Sequence, residues 1–375
     1  MQYPHPSPLP AIMASALALC LAGPAGAFDG DDRLAAHLLA AWGLQCQRLT
    51  GHTDAPDTCR GAAALQPAVS YAPTGQDQLF VKLAFAAGDG LNGASPFALS
   101  PWYVDLNSDV HRVNGRGWSD IQEVWYGREV QLAGFGTLRL LGGIVDPTPY
   151  LDDNAYANDA FNQFMNQAFV NARNTVLPAH DWGGVLAWKA EDWTLSAAGM
   201  NVGKNEDGNN YNFYGVQAGY RIETALGEGH YRILYTGTSR ASLNPSGQDL
   251  ERRSALSLSF DQALGGVVGA FLRLGWQSEA AAVDFGAAYS AGLDIRGTAW
   301  GRGSDNIGAG YAHLLGGNLS LKCSDVLEAY YRWVVNDGFA LTADIQYMED
   351  QDQGGGAVAG WVIGARAVLT LSWRR

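Results

Sequence analysis

From Trp361 to Trp373 every second residue is apolar: Trp361, Ile363, Ala365, Ala367, Leu369, Leu371 and Trp373. The positions between them read Val362, Gly364, Arg366, Val368, Thr370 and Ser372. Successive side chains of an extended chain point to opposite faces, so this is one strand with an apolar face and a mixed face. Strands of globular sheets usually run to about five or six residues, and this stretch is about twice that. A tilted strand crossing a bilayer needs roughly 9–11 residues. Tryptophan at both ends of the apolar stripe, with small aliphatics between, is the pattern of two interfacial girdles around an apolar band.

The same alternation recurs upstream. Phe339, Leu341, Ala343, Ile345 and Tyr347 alternate with Ala340, Thr342, Asp344, Gln346 and Met348. Leu327, Ala329, Tyr331, Trp333 and Val335 alternate with Glu328, Tyr330, Arg332 and Val334. Stretches 214–222 and 268–276 repeat the pattern with Arg221 and Arg273 on the mixed face, and 182–190, 193–201, 230–237 and 254–261 repeat it more weakly. A soluble β-sandwich also alternates. Two features favour a membrane barrel: the mixed faces carry single arginines among small residues, and the apolar faces tend to end in Trp, Tyr or Phe.

Composition agrees with that reading. Glycine accounts for 47 of 375 residues and charged residues for 16%, against usual shares of roughly 7% and 25%. The net charge of −13 argues against nucleic-acid binding, which calls for a basic face. No later stretch offers 18 uninterrupted apolar residues, so no transmembrane helix is expected, and a closed barrel is the other way to span.

Residues 11–22 are apolar, and Ala25-Gly26-Ala27 is a small-x-small cleavage pattern. Residues 1–27 therefore read as a secretory signal peptide. Residues 28–64 are expected to form an N-terminal periplasmic segment, which could be helical over Leu34–Trp42, and residues 65–375 the barrel. At about 22 residues per strand and connection, the mature chain accommodates about 16 strands, even in number as bacterial barrels are. Cys46 and Cys59 could close a small disulfide loop in an oxidising compartment, though their spacing alone leaves this open. No His or Cys joins them at metal-ligand spacing, so no zinc site is expected.

Residues 146–180 interrupt the alternation. Pro147, Pro149 and the Asp152-Asp153-Asn154 cluster make a turn-rich entry. Asp159 could then cap a short helix whose Phe161, Phe164, Met165, Ala168 and Phe169 share one face, with Asn162, Gln163, Asn166 and Gln167 on the other. Long loops tend to be functional. The expectation is an inward-folded constriction loop over 147–180, apolar face on the wall and amides toward the lumen; the competing reading is a helix capping the rim.

The stretch GGIVDPTPYLDDNAYANDAFNQFMNQAFVN (142–171) resembles the signature of the OprB-type carbohydrate-selective porins. ADIQYMED (343–350) with GWVIGARAVLTLSW (360–373) is similar to that family's closing hairpin, and VNGRGWSDIQEVWY (113–126) to its early strand region. The resemblance spans roughly residues 65–373. It implies a 16-stranded outer-membrane barrel that passes small carbohydrates by diffusion and uses no cofactor.

A sugar offers hydroxyls that donate and accept, and one apolar ring face. A channel preferring sugars wants arginine or amide donors, carboxylate acceptors and aromatic platforms along its path. Strand parity puts Arg221, Arg273, Arg332 and Arg366 in the lumen with Glu328 and Asp344, and more loosely Arg139 and Arg232. Turned outward, a mid-membrane arginine would cost roughly 2–4 kcal/mol. Each arginine could equally be a wall residue paired with a neighbouring acid. In the loop, Asp152, Asp153, Asn154, Asn158, Phe161 and Phe164 are the candidates, as turn formers and packing residues or as sugar contacts. No HExxH, GxSxG or phosphate-loop context occurs, so no enzyme is expected. The competing functions are a general diffusion porin without a sugar site and a secreted soluble β-protein that binds glycans. The oligomeric state stays open.

Overall fold

A computed structural model of the chain describes residues 33–51 and 54–375; the expected signal peptide lies outside these residues. The described chain is a closed antiparallel barrel of 16 strands. They are β1 Leu34–Gly51, β2 Thr58–Tyr71, β3 Asp77–Leu83 (continued past Ala84 by Phe85–Ala87), β4 Ile121–Leu132 and β5 Gly136–Val145. Then follow β6 Asp181–Ala190, β7 Trp193–Lys204, β8 Asn210–Thr224, β9 Gly227–Thr238, β10 Ser254–Leu264 and β11 Val268–Gln277. The last five are β12 Phe285–Arg296, β13 Asn306–Gly316, β14 Leu321–Asn336, β15 Phe339–Asp352 and β16 Ala357–Arg374. Each strand pairs with its sequence neighbours, and β1 closes the ring on β16 from Ala35↔Arg374 to Gly51↔Val358.

The pleat read from the sequence is the pleat observed. On β16, Trp361, Ile363, Leu371 and Trp373 are exposed, while Val362, Arg366 and Val368 are buried within the ring. The other strongly alternating stretches, 214–222, 268–276, 327–335 and 339–348, all lie within barrel strands. Exposed Leu, Val, Ile, Trp and Tyr side chains run round the outside of the ring. An outward apolar band on a ring without edges is what a bilayer requires, because every backbone polar group is satisfied inside the sheet.

Three expectations are corrected. Residues 34–64 are not a separate periplasmic segment, and Leu34–Trp42 is strand rather than helix: β1 and most of β2 lie before residue 65. Small residues at Ala40, Ala41 and Gly43 had blurred the alternation. In β1, Trp42 and Leu44 are exposed while Ala41, Gln45 and Gln47 are buried, so the strand reads as membrane wall once paired on both sides. Second, Val113–Gly115 is a single 3-10 turn, and the strand in the 113–126 stretch begins only at Ile121. Third, no amphipathic helix spans 159–169. Asp159 caps a turn, accepting from the Phe161 and Asn162 N–H groups at 2.7 and 3.2 Å, and the helix is the single turn Gln167–Val170.

Residues 33 and 375 and the short turns 72–76, 133–135, 191–192, 225–226, 265–267 and 337–338 share one end of the barrel, and the long connections 88–120, 146–180 and 239–253 share the other. Short turns are periplasmic and long loops extracellular in such barrels. Cys46 and Cys59, register partners in the β1–β2 hairpin, form a disulfide near the loop end.

Candidate pore constriction

Segments 88–120 and 146–180 both turn into the barrel and pack on each other and on the wall. They are zipped by backbone and amide bonds: Ser100 N–H donates to Gln167 Oε1 and Gln167 N–H to Ser100 O, both at 3.0 Å, and Tyr103 N–H donates to Met165 O at 2.9 Å. Asn166 and Gln167 are therefore buried in this seam and do not face the lumen, whereas Asn162 and Gln163 stay half-buried. Asn166 is fully buried and donates to Gln346 Oε1 of β15 at 2.8 Å. An amide in a dry interface needs such a partner, because an unmade bond costs about 1–3 kcal/mol.

The inward arginines and acids of the wall hold these segments. Arg273 of β11 is 2% exposed. Its guanidinium donates to the carbonyls of Ala157, Phe169 and Asp152 and to Asn158 Oδ1, and lies 3.3 Å from Asp152 Oδ1. Asp152 in turn accepts from Ala172 N–H and has φ of 71°, a left-handed conformation that Asp tolerates better than most residues. Burial pushes its carboxyl up, against the pull of Arg273. Arg232 of β9 bridges Asp153 of the loop at 2.8 Å and Asp261 of β10 at 2.5 Å. Arg366 of β16 donates to Ala160 O at 2.6 Å and Gln163 O at 2.9 Å. Glu328 of β14, wholly buried, accepts from Met165 and Asn166 N–H. Asp344 accepts from Gln346 Nε2 at 2.8 Å, and that amide also donates to Pro101 O.

Parity put these side chains on the inward face, where they are. It did not say what they would meet. Arg232, Arg273, Arg366, Glu328 and Asp344 are buried beneath the two segments and are not presented to the open lumen. Arg221 lies on the periplasmic rim of β8, paired with Asp192 at 2.7 Å and Glu228 at 3.0 Å. Arg332 is half-buried and donates to Asn162 Oδ1 at 3.2 Å. Arg139 donates to Gln78 Oε1 at 2.7 Å and lies 5.9 Å from the centre of the Trp125 ring.

Packing completes the seating. Phe164 meets Phe169, Phe271 and Tyr330 with ring centres 4.7, 5.5 and 5.1 Å away; Phe161 is half-buried beside Met165 and Val170. Asn154 donates to Ser259 Oγ at 3.1 Å. Wall glycines form the sockets. A Cβ at Gly310 would stand 2.9 Å from the Phe169 ring and one at Gly215 2.6 Å from Leu151, while Gly43, Gly269 and Gly275 leave room for Trp102, Tyr156 and Asn174. A quota of glycine that first suggests turns thus serves the inside of the wall as well.

What stays accessible is polar and aromatic. Tyr103 is 37% exposed, and the Arg173 guanidinium lies 5.9 Å from its ring centre. Nearby, Asp105 accepts from Gln66 Nε2 at 3.2 Å and lies 3.7 Å from His180 Nε2. Although burial opposes it, the contact with His180 and the charge of Lys82 hold the Asp105 carboxyl below the usual carboxylate range. Burial pushes Tyr150, across from Arg139, up to about 12. None of Tyr103, Asp105 or Arg173 was singled out in the sequence. Segment 88–120 has no extended periodic signal, and its buried Trp102, Val104 and Leu106, alternating over five residues, were the only hint of an inner location.

Comparison with known proteins fits this geometry. Residues 145–370 match the family described as "Carbohydrate-selective porin, OprB family". An uncharacterized protein of Aquifex aeolicus (strain VF5) is 28% identical over 279 residues, covering 74% of this chain and 80% of that one. Among solved structures, the high-pH structure of Pseudomonas putida OprB superposes with a TM-score of 0.71 at 13% identity, covering 90% of this chain and 94% of that one. The outer membrane channel DcaP of Acinetobacter baumannii does so with a TM-score of 0.55 at 10% identity, covering 92% of this chain and all of that one. At these identities the structures speak to fold alone.

Proposed function

The chain belongs to the OprB family of carbohydrate-selective porins and is an outer-membrane channel for the passive diffusion of sugars, and we propose that its preference is set where the two inward segments face strands β2–β5. The observation that carries this reading is the accessible Tyr103 ring with Arg173 beside it. An aromatic ring receives the apolar face of a pyranose, and guanidinium and carboxylate groups exchange hydrogen bonds with its hydroxyls. Arg139 and Asp105 supply a further donor and acceptor there, and Arg332 of β14, bonded to Asn162, a donor elsewhere on the inner wall. Each contact is to be weak, since a sugar that binds tightly does not leave. The gradient drives flux; no covalent step and no cofactor enters the reading. Residues 1–27 serve as the export leader, and the outward band is seated in outer-membrane lipid.

Block of ion current by added sugar in planar bilayers tests this. Tyr103→Ala and Arg332→Ala are expected to weaken block severalfold with little change in the open conductance. Arg221→Ala, on the rim, is expected to leave block as it is. Unchanged block in both Tyr103→Ala and Arg332→Ala would refute the assignment.

A further inference from the structure

At the foot of the constriction loop three side chains from distant parts of the chain converge. Glu123 of β4, Asp146 just after β5 and His180 just before β6 each present one potential ligand atom, all within 4.8 Å of one another. The imidazole is 5% exposed, and its Nδ1 has no hydrogen-bond partner among the described residues. A buried imidazole with one unmatched ring nitrogen, clustered with two carboxylates, is a site short of a partner. No ligand spacing in the sequence marks this cluster. These three are brought together only by the barrel and by the loop that leaves and returns to it.

The other groups at the cluster are accounted for. Asp146 Oδ1 accepts from the Thr148 N–H and hydroxyl. Glu123 Oε2 accepts from Trp125 Nε1 at 3.0 Å, and its Oε1 lies 3.6 Å from Lys82 Nζ. Asp105 stands 3.7 Å from His180 Nε2. Three carboxylates, Glu123, Asp146 and Asp105, therefore stand around one imidazole and one ammonium.

We propose that Glu123, Asp146 and His180 form a site for a divalent transition metal, of which zinc fits the donor set best. One imidazole nitrogen with carboxylate oxygens is a zinc donor set, whereas magnesium and calcium favour oxygen alone. Zinc bonds of roughly 2.0–2.2 Å put tetrahedral ligands about 3.4 Å apart, so from within 4.8 Å no pair closes by more than about 1.4 Å on binding. Two of the ligands sit at the two ends of the 146–180 segment, so the ion fastens the neck of the constriction. Lys82 is the resident cation that zinc displaces. Its side chain is 19% exposed.

The test is calorimetric titration of ZnCl2 into the full-length, chelator-stripped porin in detergent. Saturable binding of one zinc per chain is expected, weakened at least tenfold by His180→Ala and by Glu123→Gln. Lys82→Met, which removes the competing ammonium and keeps the chain length, is expected to tighten it. Excess MgCl2 is expected not to compete. Folding of each variant is checked by heat-modifiable gel migration, and Asp146→Asn replaces any variant that does not fold. Absence of saturable binding in both the wild type and Lys82→Met overturns the proposal. So does binding indifferent to the His180 and Glu123 substitutions, which would place the zinc elsewhere.

Discussion

Arg273→Ala is expected to widen the pore and abolish much of its discrimination while the barrel stays intact. The guanidinium serves three loop carbonyls, the Asn158 amide oxygen and Asp152 at once. Removing one partner of a buried charged network costs about 3–5 kcal/mol, because the other partner is left uncompensated. At about 1.4 kcal/mol per factor of ten, that shifts loop seating by roughly two to three and a half orders of magnitude. The loss falls on the loop and not on the wall, since the β11 ladder on either side of residue 273 is made of backbone bonds. Single-channel conductance is expected to rise severalfold and to become noisy. Asp152→Ala on top of Arg273→Ala is expected to recover part of the seating, because it removes the orphaned carboxylate. Wild-type conductance from Arg273→Ala would show that the loop is held by its packing alone.

Filling the wall sockets should have a comparable effect by a different route. Gly269→Leu with Gly275→Leu places side chains where Tyr156 and Asn174 now lie against the strand. Asn174 also donates to Trp276 O at 3.2 Å, a bond that an occupied socket breaks. Both glycines face inward, so the lipid-facing surface of β11 is untouched. Overpacking of this kind costs about 1–3 kcal/mol per site. Conductance is again expected to rise, now with the Arg273 bonds strained rather than absent, and the paired substitution should exceed either single one. A pore unchanged by the double substitution would contradict the socket reading.

The barrel was legible because membrane strands write both of their faces into the sequence. Trp361 to Trp373 fixed a strand, its direction of burial and its girdles without any partner in view, and repetition over the chain length gave the strand number. β1 escaped because Ala40, Ala41 and Gly43 carry too little contrast between faces. The interior was less legible for a physical reason. Parity says that Arg232, Arg273, Arg366 and Glu328 point inward, and the cost of an arginine in lipid supports it. What an inward side chain meets depends on chain that arrives from 100 or more positions away, as Arg273 meets Ala157 and Glu328 meets Met165. The same limit hid segment 88–120, whose apolar residues are buried by the other loop rather than by a periodic neighbour. The 159–169 helix failed for a related cause: its spacing was helical, but its backbone donors at Met165 and Asn166 were claimed by a buried carboxylate on the wall.

This porin is expected to pass sugars in preference to other solutes of their size. Liposome swelling with the purified chain tests it most directly, using mono- and disaccharides against amino acids of matched size. Faster swelling with the sugars is the expected result. Equal rates for sugars and size-matched controls, from protein verified as folded, would contradict the account and leave a channel that sorts by size alone.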